Sequence, residues 1–147
     1  MLKTSIVIAI FAVIGLGTFV RMNPIRAEAV HVDPETVERP SYPGHVLVRP
    51  GGDVEPERFP DAPGDLAKRL NTIILDTPRT YLLAGDLEDG WATYVTRSRL
   101  WGFPDFASVK LIEKSGETEV LIFSRLRYGY ADLGVNKTRV ESWLSQL

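Results

Sequence analysis

Two Arg-x-Arg pairs carry the most distinctive chemistry in the chain. Arg97 and Arg99 run into Trp101-Gly102-Phe103-Pro104-Asp105, and Arg125 and Arg127 run into Tyr128-Gly129-Tyr130-Ala131-Asp132. A guanidinium presents five donors in a planar fork, which suits phosphate and carboxylate oxygens. These four guanidinium groups, rimmed by Trp101, Phe103, Tyr128 and Tyr130, form a candidate site for a phosphate, a carboxylate or an anionic lipid headgroup. Asp105 and Asp132 are the one carboxylate pair placed for acid–base work. Their competing use is structural, as acceptors from turn amides or as ion-pair partners of the same arginines. The candidate ligand-binding set is therefore Arg97, Arg99, Arg125, Arg127, Asp105, Asp132, Trp101 and Tyr128, with no residue assigned a catalytic role.

Strands must position these groups. Period-2 alternation puts Arg97 and Arg99 on one face of a strand and Arg125 and Arg127 on one face of another. Register decides whether the two faces coincide, since a slip of one residue reverses the answer. Strand-like runs cover 80–85, 91–100, 106–113 and 117–125, joined by the turns Asp86-Leu87-Glu88-Asp89-Gly90 and Lys114-Ser115-Gly116, so an antiparallel meander is expected. Val120-Leu121-Ile122-Phe123 lacks alternation, as an inner strand covered on both faces would. Val46-Leu47-Val48, between Pro43 and Pro50, reads as an edge strand, and the proline-rich stretch to Gly64 as a loop.

A first helix is expected from Asp65 as cap, through Leu66, Leu70, Ile73 and Ile74, to Pro78. A last helix is expected from Asn136 as cap, with Val135 and Val140 as a hydrophobic staple. Its apolar stripe is Val140, Trp143, Leu144 and Leu147. Gly134 would supply a conformation other residues resist. The order β-α-β-β-β-β-α predicts an α+β domain, an antiparallel sheet packed by two helices.

The run from Arg97 to Asp105, followed after a hairpin by Phe123-Ser124-Arg125, Tyr128-Gly129 and Asp132-Leu133-Gly134-Val135-Asn136, resembles the domain of unknown function 1499 family of bacterial and plastid proteins. The likeness extends from about Val32 to the C-terminus. It implies a small domain held outside the cytoplasmic membrane by an N-terminal segment, and it brings no activity with it. Ala131 stands where that family often has serine.

That segment is readable directly. Residues 4–20 hold no charge, between Lys3 and Arg21, and as a helix they reach about 25 Å, enough for a short bilayer span. An uncleaved single-pass anchor in the cytoplasmic (inner) membrane, with the C-terminal domain in the periplasm, is the reading adopted. The alternative is a signal peptide cleaved near Ala29, leaving a protein secreted to the periplasm. Lys3 on one side and Arg21 with Arg26 on the other leave the orientation undecided by charge. The expected division is 1–21 as anchor or signal peptide, 22–43 as an extended acidic, proline-rich tether, and 44–147 as a single domain.

All 19 acidic residues but only 14 of the 17 basic ones follow Arg26, so the outer part is acidic. Such a balance argues against nucleic acid as partner, whose binding rests on phosphate neutralisation. With no cysteine, thiolate metal sites and a cysteine nucleophile are excluded. His31 and His45 lack ligand spacing, and no phosphate loop, dinucleotide fingerprint or nucleophile elbow occurs, so neither cofactor nor metal is expected. The thin catalytic inventory leans away from an enzyme. It favours a membrane-tethered interaction or accessory module with a membrane-protein partner or a second copy of itself. The alternative is a binding module for an anionic or amphipathic small molecule through the arginine cluster.

Overall fold

In the computed structural model, which describes residues 2–147 with side chains from residue 4 onward, a six-stranded antiparallel sheet separates two unequal layers. In chain order the elements are α1 (Leu2–Met22), α2 (Ala27–Val30), β1 (His45–Val48), β2 (Arg58–Phe59), α3 (Pro63–Asp76), β3 (Thr80–Asp86), β4 (Trp91–Arg97), β5 (Pro104–Lys114), β6 (Glu117–Leu126) and α4 (Val135–Leu144). The short turns make β3 to β6 a meander, and β1 and β2 pair in succession along the free edge of β6. The expected α+β order is present, with the two-residue β2 and the one-turn α2 added to it.

One face of the sheet holds the apolar core. Val46, Ala92, Tyr94, Ala107, Val109, Val120 and Ile122 meet Leu66, Ala67, Leu70 and Ile74 of α3 and Val140, Trp143 and Leu144 of α4. Each fully buried large aliphatic contributes about 1.5–3 kcal/mol. The indole of Trp143 donates to Thr77 Oγ1 at 2.8 Å, tying α4 to the end of α3.

Both helix starts differ from the expectation. Pro63 is the first residue of α3, where its fixed φ and missing N–H cost nothing, and Asp65 sits inside the first turn, favourable to the helix dipole. In α4 the capping carboxylate is Asp132, which accepts from the backbone amide of Asn136 at 2.8 Å. Gly134 turns the chain at φ 82° ahead of the helix. Asn136 is instead fully buried in the first turn, with Ser124 Oγ donating to its Oδ1 at 2.5 Å, and Val135 is exposed rather than stapled to Val140.

The second layer is the segment 23–42, which lies as a strap across the opposite face. His31 stacks on Trp91 with ring centroids 3.9 Å apart, and Lys110 reaches Asp33 and Glu35, each at 2.7 Å. Arg49 donates to the carbonyls of Pro34, Glu35 and Val37. With α3 and α4 on one side and this strap on the other, every residue of β6 from Thr118 to Arg125 is buried, as its unbroken apolar run required.

Candidate functional site

Register answers the question the alternation left open. Arg97 pairs with Pro104, Phe106 pairs with Arg125, and the amide of Arg127 donates to Pro104 O at 3.2 Å. Arg97, Arg125 and Arg127 therefore share the strap face, at the end of the sheet where α1 leaves the domain. β4 ends at Arg97, so Arg99 falls in the following turn, exposed and with no alternation to place it.

That turn is a fitted piece. Ser98 closes it from both sides, its amide donating to Phe103 O at 2.8 Å and its hydroxyl accepting from the Phe103 amide at 2.9 Å. Arg97 Nη1 donates to Gly102 O at 2.9 Å. The turn packs on the last turns of α1: Arg21 Nη2 donates to Leu100 O at 3.3 Å, and a methyl on Gly17 would stand 3.7 Å from Trp101 Cε3. Gly102, at φ 72°, is the point of closest approach, where a Cβ would come within 2.9 Å of Arg21 Nε. Val20 is buried at the foot of the same helix.

The second motif closes on the first. Asn23 Nδ2 donates to Tyr128 Oη at 2.6 Å, and the Tyr128 ring lies 6.0 Å from that of Phe103. The Arg127 guanidinium sits 5.1 Å above the same tyrosine ring and donates to the carbonyls of Asn23 and Pro24. Of the sequence-derived set, Arg97, Trp101, Arg127 and Tyr128 thus meet at the foot of α1.

Arg125 has a different environment. It is 8% exposed, with its donors spent on Val30 O, on Phe123 O at 3.1 Å and on Ser108 Oγ at 3.3 Å. The Phe123 ring lies 4.5 Å from its carbon and the Phe106 ring 5.6 Å. Burial pushes its guanidinium down to about 10. A polar ladder continues from it across the sheet, from Ser108 to Thr93 at 3.0 Å and from Thr93 to His31 Nδ1 at 2.8 Å.

Asp105 and Asp132 lie on the opposite, helix-packed face. Asp105 accepts from Arg139 Nη2 at 3.1 Å, and burial raises its pKa against the attraction of Arg139. Asp132 is also pushed up by burial, but hydrogen bonds from Asn136 and Gly134 outweigh this and hold it below the usual carboxylate range. Arg139 bridges to Asn136 Oδ1 at 3.0 Å and completes a network that fastens α4. Both carboxylates are engaged in holding structure, away from the sheet face that carries the arginines.

Sequence reasoning passed over several residues that complete the α1 end. Arg21 and Arg26 stand in the sequence as flanks of the apolar run and Asn23 as part of the tether, and nothing in the sequence singled out Arg79. Arg79 Nε donates to Arg97 O at 2.9 Å, which places a further guanidinium at the same end. Among the described residues, Arg21, Arg26, Arg79, Arg97, Arg99, Arg125 and Arg127 have no carboxylate within ion-pair distance, whereas the cations elsewhere, Arg49 excepted, do. The far end of the sheet carries the opposite sign, with Asp86, Glu88 and Asp89 at one hairpin and Glu113 and Glu117 at the other. Only the spacing of the two Arg-x-Arg pairs signalled this end in advance.

A cavity of about 360 Å³ opens beside Arg127, lined by Asn23, Pro24, Ile25, Arg26, Ala29, Val30 and Phe106 as well. Its charged groups are both cations. The described residues contain no cluster of three or more histidine, aspartate or glutamate side chains placed to hold a metal. One helix, Thr4–Met22, is long and apolar enough to cross a membrane, and a signal sequence would pass the same test.

No curated protein matches the chain. The family model described as a protein of unknown function, DUF1499, matches residues 24–147, which takes in the strap and the whole sheet. The chain belongs to that family.

Proposed function

We propose that this protein is a non-enzymatic, membrane-anchored module whose arginine-rich end seats on the anionic headgroups of the bilayer that α1 crosses. The N-terminus lies in the cytoplasm and the domain outside it. The observation that carries this reading is the gathering of six exposed or half-buried arginines without a carboxylate partner, Arg21, Arg26, Arg79, Arg97, Arg99 and Arg127, at the end of the sheet where α1 leaves the domain, with Arg125 buried behind them. Trp101, Phe103 and Tyr128 share that end, and aromatic rings with one polar edge suit the bilayer interface. Anionic lipid attracts basic side chains with about 1 kcal/mol each near the surface, so even part of this set would fix the domain's pose.

Fluorescence of the full chain in nanodiscs made with brominated lipid tests the reading. Trp101 should be quenched by bromines placed near the headgroup, and Trp101→Phe should remove the quenched component, leaving Trp91 and Trp143. Quenching should rise as phosphatidylglycerol replaces phosphatidylcholine and fall with added salt, because exposed charges are screened within about 10 Å at 0.1 M. A Trp101 signal indifferent to lipid charge and to salt would overturn the proposal.

A further inference from the structure

The cavity beside Arg127 differs from the rest of the basic end in having walls. We infer that it is a discrete binding site for one phosphate group, taken by Arg26 and Arg127; this rests on the anionic-surface reading and narrows it to one pocket. Four features of the pocket point to phosphate.

Its charge is wholly positive. Arg26 and Arg127 line it with no acidic side chain, and the Arg26 side chain has neither a hydrogen bond nor an ion pair among the described residues. Arg127 spends Nη1 and Nη2 on the carbonyls of Asn23 and Pro24, which orient the guanidinium without neutralising it. A phosphate is the anion whose several oxygens match two such forks.

A third cation stands behind the wall. Val30 and Phe106 line the cavity, and these same residues hold Arg125, through the Val30 carbonyl and the Phe106 ring. A guanidinium this deeply buried is costly without an opposite charge, and the protein supplies no carboxylate to it. An anion in the adjacent cavity would lower that cost.

Depth is the third feature. The lining begins at Asn23, the residue directly after the last residue of α1, so the pocket sits where a spanning helix meets headgroup phosphates. Finally, Pro24, Ile25, Ala29, Val30 and Phe106 give it an apolar wall against which the glycerol end of a phospholipid could lie. The chemistry recognised is therefore a phosphate, carried by a lipid headgroup or free in solution.

Native mass spectrometry of the full chain in detergent micelles tests the site and separates the two sources. In one arm phosphatidylglycerol is titrated against phosphatidylcholine, and in the other inorganic phosphate is added without lipid. The expected result is a single phosphatidylglycerol adduct, not matched by phosphatidylcholine, whose phosphate is already paired with its own trimethylammonium, and weakened about tenfold in Arg26→Gln, the loss of one charged contact. Lys68→Gln, an exposed cation on α3 outside the basic end, should leave it unchanged. Arg26 holds nothing in place, so its variant should fold even if Arg127→Gln loosens the strap, and Arg127→Lys should retain part of the affinity. An adduct in the inorganic phosphate arm alone would keep the phosphate site and exclude lipid as its source. An adduct undiminished in Arg26→Gln would overturn the pocket, while Trp101 quenching, if still charge-dependent, would leave the surface reading standing. Multiple adducts lost equally in Arg99→Gln would overturn it too, showing diffuse attraction.

Discussion

Replacing Arg125 with methionine removes the guanidinium that joins strap to sheet while keeping an unbranched apolar stem. Three acceptors then lose a charged donor: the carbonyls of Val30 and Phe123, and Ser108 Oγ. Bonds of this kind contribute about 1.5–3 kcal/mol each, and a desolvated cation against an aromatic ring adds about 2 kcal/mol. Against these stands the desolvation of the cation, several kcal/mol, which methionine does not incur. The difference is a net loss of about 3 kcal/mol. In a domain of this size that lowers the melting temperature by about 10 °C. The loss should also be local, because Val30 is the strap's attachment: the amides of His31 and Val32, which close turns onto Ala27 and Val30, should exchange faster well before global unfolding. Thermal melts followed by near-UV circular dichroism, with hydrogen exchange on the full chain in detergent, read both effects. A variant melting at or above the wild type would show that desolvation outweighs the bonds. Unchanged exchange at His31 and Val32 would show that Arg125 does not latch the strap.

Two other changes probe the neighbouring parts. Asp132→Ala removes the carboxylate that caps α4 and should cost about 1–2 kcal/mol in chemical denaturation at neutral pH. Because hydrogen bonds hold the folded pKa of Asp132 below the usual range, its stabilisation is fully present above the unfolded pKa and is lost as pH falls through the folded one. The difference between variant and wild type should shrink towards low pH, and a difference constant with pH would refute the capping role. Gly102→Ala places a Cβ at positive φ and against Arg21, so it should cost about 1 kcal/mol or more and loosen the turn from α1. Solvent exposure of Trp101, read as a red shift in its emission, checks it.

The sheet was legible because its signals are local. The meander follows from two tight turns between apolar runs, and the buried status of β6 from the missing alternation at 120–123. The caps were not legible, since Asp132 and Asn136 are both good capping residues, and only the packing of Asn136 onto Ser124 decides between them. The segment 22–43 reads as an extended tether lying along the domain, but the face it covers was hidden for a related reason. Beside the side-chain bonds of Asn23, His31, Asp33 and Glu35, much of its attachment runs through main-chain carbonyls at 23, 24, 30, 34, 35 and 37, and carbonyls leave no mark in a sequence. The arginines were visible as pairs, but their gathering around Arg21 and Arg26 needed a fold that brings residues 79 and 104 positions apart together at the foot of α1.

Charge segregation of this kind calls for a cause outside the domain's own stability. Bringing six exposed or half-buried guanidiniums to one end of a chain with net charge −2 adds repulsion, and the carboxylates at that end, Asp105 and Asp132, are engaged with Arg139 and the start of α4 rather than with these arginines. Local structure does not demand the charge: Arg97, Arg79 and Arg127 donate to carbonyls that a neutral amide side chain could serve in part, and the side chains of Arg26 and Arg99 bond to nothing among the described residues. A solvated surface would gain nothing from the arrangement either, since mixed charges keep a protein soluble at lower cost. An anionic surface meeting that end would turn the repulsion into attraction, and would do so where an apolar helix of spanning length leaves the domain. On the membrane-anchored reading, the strap then has a mechanical part as well. Asn23 and Pro24 join α1 to Arg127, and Val30 joins the strap to Arg125, so a load on the basic end is passed directly into the sheet.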